Sequence, residues 1–444
     1  MRKQIRWLRD QTEVWVGQGV VSAEQAARIR ALYPEPSAGL PWAMLVFSGL
    51  GAVIVGLGVI LLFAYNWQEL PRGVKLAVIF TTLVAAQGAG VWRLRQADRL
   101  RALGDVLCLL GTMMYGAAIW LIAQIYHIEE HFPNGFLYWG LGALALAWAL
   151  PSTLQGLLAA VVLTIWSGSE AVGFDAPVFW APVFVLAVLG ALAWRQNSVL
   201  LLFVTLAATG VATLINAGAV RGDLVLRTAL GLGAAFLAVG ALARQTGWFR
   251  AAAWVWSAVG WAHVLLPVYL LTFQDLTIEL LGHHARGVSG RDFTWTACLW
   301  TPLALAVAAW AAVVAGRAAK APDQQPAAWH YEDMVAPAAA VMAVAFAYVP
   351  LERSDWLAAG LFNLLFLLLA VAWMARGCRE GRLRPALGGA LMLVALATAR
   401  YFDLFESLAA RGVVFLLVGA GLFITGLQYT RARKRLEAGQ GGPP

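Results

Sequence analysis

Charge is what this chain has least of. Of its 444 residues, 13% are charged and 61% hydrophobic, whereas a soluble domain carries about 25% charged and about 45–50% apolar residues. One core of a water-soluble fold could not absorb that much apolar surface, so lipid must be part of the solvent. Cysteine is nearly as scarce. Cys108 and Cys298 fall in apolar runs and Cys378 in a loop, without a C-x-x-C spacing. That leaves no basis for a disulfide framework or a cysteine metal site. Residues 1–41 lack the apolar core and cleavage site of a signal peptide, so the first apolar run is expected to direct insertion. Also lacking are a P-loop, a G-x-S-x-G, a dinucleotide fingerprint and an acidic pair for lipid phosphotransfer. No cofactor is indicated, and enzymatic activity is not the favoured reading.

What is there is apolar length. A spanning helix takes roughly 20 apolar residues, and about fourteen runs approach that length. They cover 42–64, 74–94, 103–125, 136–150, 153–169, 176–194, 198–217, 224–243, 251–271, 295–315, 335–349, 355–375, 385–400 and 412–429. Strands of a membrane barrel would alternate apolar and polar residues, and these runs are continuous. The expected fold is all-α, a polytopic transmembrane helical bundle.

With the N-terminus placed in the cytoplasm, 23 of the 32 Lys and Arg fall on the cytoplasmic side and 9 on the other. This is the positive-inside bias, and it predicts that both termini are cytoplasmic. The formal charge of +8 then faces anionic lipid headgroups and not nucleic acid. The expected location is a bacterial inner membrane. The expected organisation is a cytoplasmic amphipathic helical preface (1–41), a transmembrane bundle of ten runs (42–315), a Pro/Gln-rich cytoplasmic linker (316–334), four further transmembrane runs (335–430) and a basic, then disordered, tail (431–444). Within the preface, Ser22 and Gln25 have capping-box spacing. Leu8, Trp15, Ile29 and Leu32 can supply one apolar face for the membrane surface, a cytoplasmic protein partner or a second copy of the chain.

Three polar clusters close apolar runs on the predicted outer side. They are Asn66 and Trp67 with Gln68 and Glu69; Gln124, Tyr126 and His127 with Glu129, Glu130 and His131; and Arg400, Tyr401 and Asp403 with Glu406. Polar groups at membrane depth are costly unless they pair or line a cavity. In a vestibule, Arg400 would fork onto an anion and His127 would respond to protons. His127, Glu130 and His131 also spell H-x-x-E-H, a zinc-protease pattern. That site needs one helix to carry both histidines plus a third ligand. Pro133-Asn134-Gly135 is expected to end the helix, and no metal site is assigned. Glu129, Glu130 and His131 read as a solvated rim.

Other polar residues read as structural. His263 and Asn363 are expected to hydrogen-bond within the bundle. Trp42, Trp67, Trp92, Trp180, Trp194, Trp248 and Trp356 lie near run ends, as interfacial anchors do. Ser48, Ala52 and Gly56, and Gly412, Gly419 and Gly426, form rows of small residues suited to helix packing.

FAYNWQELP (63–71), GAAIWLIAQIYHI (116–128) and ARYFDLF (399–405), followed by a glycine-rich run and a basic tail, resemble the bacterial multi-pass membrane proteins catalogued as domain of unknown function 2157. The resemblance is clearest over residues 10–170 and weaker over 385–435. It implies the multi-pass architecture and singles out Asn66, Trp67, Gln124, Tyr126, His127, Arg400, Tyr401 and Asp403, without supplying a substrate. The favoured function is transporter-like, or lipid- or solute-handling, with a polar site at the outer ends of the first, third and thirteenth runs. The alternatives are a scaffold or sensor docking a cytoplasmic partner through residues 1–38, and an intramembrane enzyme acting on an envelope lipid or glycan.

Overall fold

The computed structural model describes residues 2–32, 70–96, 101–128, 131–249, 252–273, 293–319, 331–348 and 355–403, with isolated positions between 276 and 428; several side chains, those of 400–403 among them, lie outside the description. Every regular element among the described residues is an α-helix. The chain divides into two compact units, Met1–Val78 and Ile79–Pro444.

The first unit holds α1 (Arg2–Gly17) and α2 (Ala23–Leu32). Gly19, at φ +72°, takes the left-handed conformation that turns the chain between them. The capping box forms as its spacing predicts. Gln25 N–H donates to Ser22 Oγ at 3.2 Å, and Ser22 N–H donates to Gln25 Oε1 at 2.9 Å, so two orphan amides at the start of α2 are satisfied. Arg30 then reaches back to α1, donating to Thr12 Oγ1 at 3.1 Å and pairing with Glu13 at 3.3 Å. Thr12 and Ala26 are buried between the helices and Leu8, Trp15 and Ile29 half-buried, while Leu32 is exposed. The apolar face is therefore built around a small polar contact.

The runs from 74–94 to 385–400 each fall on a helix. These are α3 (Arg72–Leu94), α4 (Arg101–Tyr126), α5 (Pro133–Ala149), α6 (Thr153–Gly173), α7 (Trp180–Arg195), α8 (Val199–Val220), α9 (Gly222–Thr246), α10 (Ala253–Leu270), α11 (Phe293–Ala318), α12 (Tyr331–Tyr348), α13 (Asp355–Glu380) and α14 (Leu383–Asp403). The run 42–64, with Asn66 and Trp67, and most of 412–429 lie outside the described residues. Eight of the described helices are long and apolar enough to cross a membrane, and three shorter apolar ones accompany them. The chain is a multi-pass helical membrane protein.

α9 is the hub. Of its most apolar stretch 89% is buried, against 11% for α3. Its sequence is rich in Gly and Ala, which lets neighbours approach from every side. A Cβ on Gly260 of α10 would lie 2.9 Å from Leu237 N and 3.1 Å from Gly233 O of α9, so these two backbones touch. One core joins α5 to α10 around Leu163, Leu189, Leu206 and Phe236. A second joins α9 and α10 to α11–α14 around Leu237, Trp261, Ala339 and Phe366. Helices before and after residues 316–334 therefore share one core. Small-residue contacts occur at Gly90–Cys108, Gly233–Gly260 and Gly377–Ala386. Of the predicted rows, Gly419 meets open space, and the other members lie outside the described residues.

Helices successive in the chain run antiparallel, and the contacts between helices define two faces. Gly135 of α5 meets Trp120 of α4, and Gly140 meets Leu163 of α6. Asn216 of α8 donates to Ser167 of α6 at 2.7 Å, Gly210 of α8 meets His263 of α10, and Tyr269 of α10 donates to Ala395 O of α14 at 3.3 Å. The C-terminal ends of α4, α6, α8, α10 and α14 thus share one face, the His127 face. The C-terminal ends of α9 and α13 and the start of α14 share the opposite, arginine face. His263 and Asn363 do what was expected of them. His263 Nδ1 bonds Val259 O at 2.8 Å, and Asn363 donates to Thr272 O, just beyond α10, at 3.0 Å. Trp92, Trp180, Trp194 and Trp248 are exposed near helix ends, as anchors should be.

Candidate functional site: a cavity at the ends of α4 and α5

α4 ends in a cap that glycine usually provides. Ile128 N–H donates to Ala123 O at 2.9 Å, and His127 N–H approaches Gln124 O at 3.4 Å. This is the Schellman pattern, and it places His127 at φ +52°. A non-glycine residue pays roughly 1–2 kcal/mol for that conformation. The strain sits on a residue the sequence had singled out, and strained backbone concentrates at working sites.

The helix stops at Tyr126, earlier than expected, and Pro133 does not stop it. Pro133 is the first residue of α5, where its missing N–H costs nothing. His127 and His131 therefore share no helix, and the H-x-x-E-H geometry is lost. Among the described residues, no three His, Cys, Asp or Glu side chains gather closely enough to hold a metal ion.

His131 is not part of a solvated rim. It is half-buried, and its Nε2 lies 2.7 Å from Glu170 Oε2. Glu170 is 8% exposed and also accepts from Trp166 Nε1 at 3.2 Å. The imidazole meets Phe174 edge-on at 4.0 Å. The α5–α6 hairpin brings these residues together across 39 positions, a juxtaposition no local pattern announces. Beneath them Asn216, fully buried, donates to Ser167 and accepts from Val178 N–H. This fixes the end of α6 against α8 and the loop that follows.

Of these groups His131 borders a cavity of about 890 Å³, lined also by Trp120, Gln124, His127, Asn134 and Tyr138, among others. Trp120 is seated against Gly135, and Trp139 against Gly116, so paired indoles on glycines set the spacing of α4 and α5. The lining contains no Lys or Arg among the described residues. In its neutral form, with Nε2–H donating to the Glu170 carboxylate, the imidazole presents Nδ1 as an acceptor. The two amides can donate or accept, and Tyr138 adds a phenol. Such a lining suits neutral groups that offer hydroxyls.

The predicted site residues divide. Gln124 and His127 line the cavity; Tyr126, equally exposed, does not. Arg400, Tyr401 and Asp403 form the last turn of α14, on the His127 face, with side chains outside the described residues. Asn66 and Trp67 lie outside them altogether. His131, Asn134, Tyr138 and Glu170 are the residues the sequence reading missed.

Residues 13–156 match the family model described as "Predicted membrane protein (DUF2157)", the family the sequence resembles. The match takes in the cavity lining named above and stops short of Glu170. No curated protein and no solved structure matches the chain.

Proposed function

We propose that this membrane protein handles a lipid or solute by holding a neutral, hydroxyl-bearing group in the cavity at the ends of α4 and α5. The observation that carries this reading is the His131–Glu170 clamp beside a lining of amides and aromatics without Lys or Arg among the described residues. A clamped imidazole is preorganised, so a ligand hydroxyl meets it without ordering a side chain first. The charge bias of the loops supports placing this face away from the cytoplasm, in an inner membrane. Arg400, Tyr401 and Asp403, in the last turn of α14, lie on the same face. The cavity floor is Ile119 and Trp120, which favours ligand capture over a polar conduit.

Native mass spectrometry of the purified chain tests the ligand class. The probes are a glycolipid with one neutral hexose and the matching diacylglycerol without it. The wild-type chain should retain the glycolipid selectively, and His131→Ala should lose about tenfold in affinity, the worth of one good hydrogen bond. Equal retention of both lipids by the wild-type chain refutes the ligand class. Sidedness has its own test. Asn134→Cys should react with an impermeant maleimide added to intact cells, because the described native cysteines Cys108 and Cys378 are buried. Labelling only after permeabilisation would reverse the orientation.

A second reading, a scaffold or sensor, is favoured by α1 and α2, a cross-linked hairpin with Trp7, Val14, Val20 and Leu32 exposed. Removing residues 1–32 from the full chain separates the two readings. Glycolipid retention should survive the deletion if binding resides in the α4–α5 cavity.

A further inference from the structure

The largest of the described cavities, about 1020 Å³, lies on the arginine face. It opens where the end of α9, the start of α10, the end of α13 and the start of α14 meet. Among the described residues four arginines line it, Arg244, Arg376, Arg382 and Arg384, with a single carboxylate, Glu380. We propose that this cavity binds a phosphate group, carried on the headgroup of an anionic lipid.

The arrangement is built from both sides. Arg244 donates to Ser257 of α10, which holds one cation to the wall of the cavity. Glu380 accepts from Arg376 Nε at 2.6 Å and pairs with Arg382 Nη1 at 3.2 Å, so one carboxylate sets the spacing of two guanidiniums and leaves the cluster strongly positive. The turn at Gly381, with φ +64°, brings Arg382 and Arg384 back beside the end of α13. All four cations are arginine, the side chain whose planar fork matches two phosphate oxygens at once. Cations of one sign held close together raise each other's energy, and a bound phosphate relieves that cost.

The rim points to lipid as the source. Trp254 and Leu383 border the same cavity and are exposed, so an acyl chain leaving the phosphate would lie along apolar surface. Basic pockets between spanning helices on the cytoplasmic side are sites for anionic headgroups, and the loop-charge bias puts this face there.

The test uses the full chain in detergent, with phosphatidylglycerol, phosphatidylcholine and inorganic phosphate as probes, read by native mass spectrometry and thermal stability. The variant is Arg382→Gln with Arg384→Gln, both exposed positions whose replacement leaves the core alone. The control is Arg195→Gln, on the same face but outside the cavity. The wild-type chain and the control should retain phosphatidylglycerol about tenfold or more over phosphatidylcholine, as charge-assisted pairs predict, and the double variant should lose that preference. Stabilisation by inorganic phosphate alone, abolished in the same variant, supports the phosphate site and assigns it to a free anion. Equal retention of both lipids without any response to phosphate overturns the proposal, as does an equal loss in the Arg195→Gln control.

Discussion

Two cavities of similar size open at opposite faces of the helix unit, and their walls are alike in one respect. Each has indoles beside it, Trp120 in one and Trp254, Trp261 and Trp373 in the other. They differ in charge. The cavity on the His127 face offers imidazole, amide and phenol. The cavity on the arginine face offers four guanidiniums around one carboxylate. A phosphate in the first would meet no Lys or Arg among the described residues and would sit near the buried Glu170, a poorly compensated burial of charge. A sugar hydroxyl in the second would leave most of the guanidinium charge unanswered. In a chain this poor in charge, the few ionisable groups sort ligands more sharply than the shape of the walls does.

The strongest way to break this contrast is to remove Glu170. Glu170→Leu leaves the Trp166 indole N–H and the His131 imidazole without their acceptor, at about 1–3 kcal/mol for each buried group left unsatisfied. Unfolding in mixed detergent micelles should show the loss, and glycolipid retention should fall with it. Phosphatidylglycerol retention on the arginine face should hold in the fraction that remains folded. Glu170→Gln is subtler. Its amide oxygen can still accept from Trp166, but its NH2 then faces His131 Nε2. The imidazole must move its proton to Nδ1 and offers the cavity a donor in place of an acceptor. The 15N shifts of His131 report the tautomer directly. An unchanged tautomer would show that the carboxylate does not orient the ring.

That pair also shows where the sequence stops being legible. The continuous runs were readable because lipid forces every backbone polar group into a helix, so run after run became a helix. The capping box of Ser22 and Gln25 and the His263 bond to its own helix were readable because each obeys a local rule, and the Asn363 link to Thr272 because a polar side chain inside a spanning helix must find a partner. Pro133 was misread because proline marks the start of a helix as well as the stretch after its end. The helix before it had already closed at Tyr126 with a histidine in glycine's usual place. His131–Glu170 was out of reach because it depends on how α5 folds back on α6. The arginine cavity was hidden for the same reason. Three of its cations, Arg376, Arg382 and Arg384, fall in one predicted inner segment and Arg244 in another, and only the packing of α9, α10, α13 and α14 brings Arg244 beside the rest. The indoles of Trp120 and Trp139 left a fainter signal, since each lies opposite a glycine on the partner helix.

A smaller effect sharpens the His127 face. His127→Gly removes the left-handed strain, and stability should rise by about 1 kcal/mol. If the histidine is kept for its imidazole, glycolipid affinity should fall in the same variant even as the protein resists heat better. A gain in stability with unchanged retention would make His127 a cap and nothing more, and would leave His131 as the histidine that matters.

The smallest expected effect on stability falls on the arginine face. Glu380→Gln removes an ion pair at the surface, and such pairs contribute at most about 1 kcal/mol. Yet the same change takes the only carboxylate among the described lining residues out of the cavity and leaves the four arginines. Affinity for phosphatidylglycerol should therefore rise while thermal stability without lipid drops slightly, and the gap between the two should shrink as salt screens the cluster. A fall in both would mean that Glu380 is needed to hold Arg376 and Arg382 in place, with their spacing outweighing their summed charge. The sign of that one change distinguishes a cavity selected for charge from one selected for geometry, a distinction the neutral cavity across the bundle cannot make.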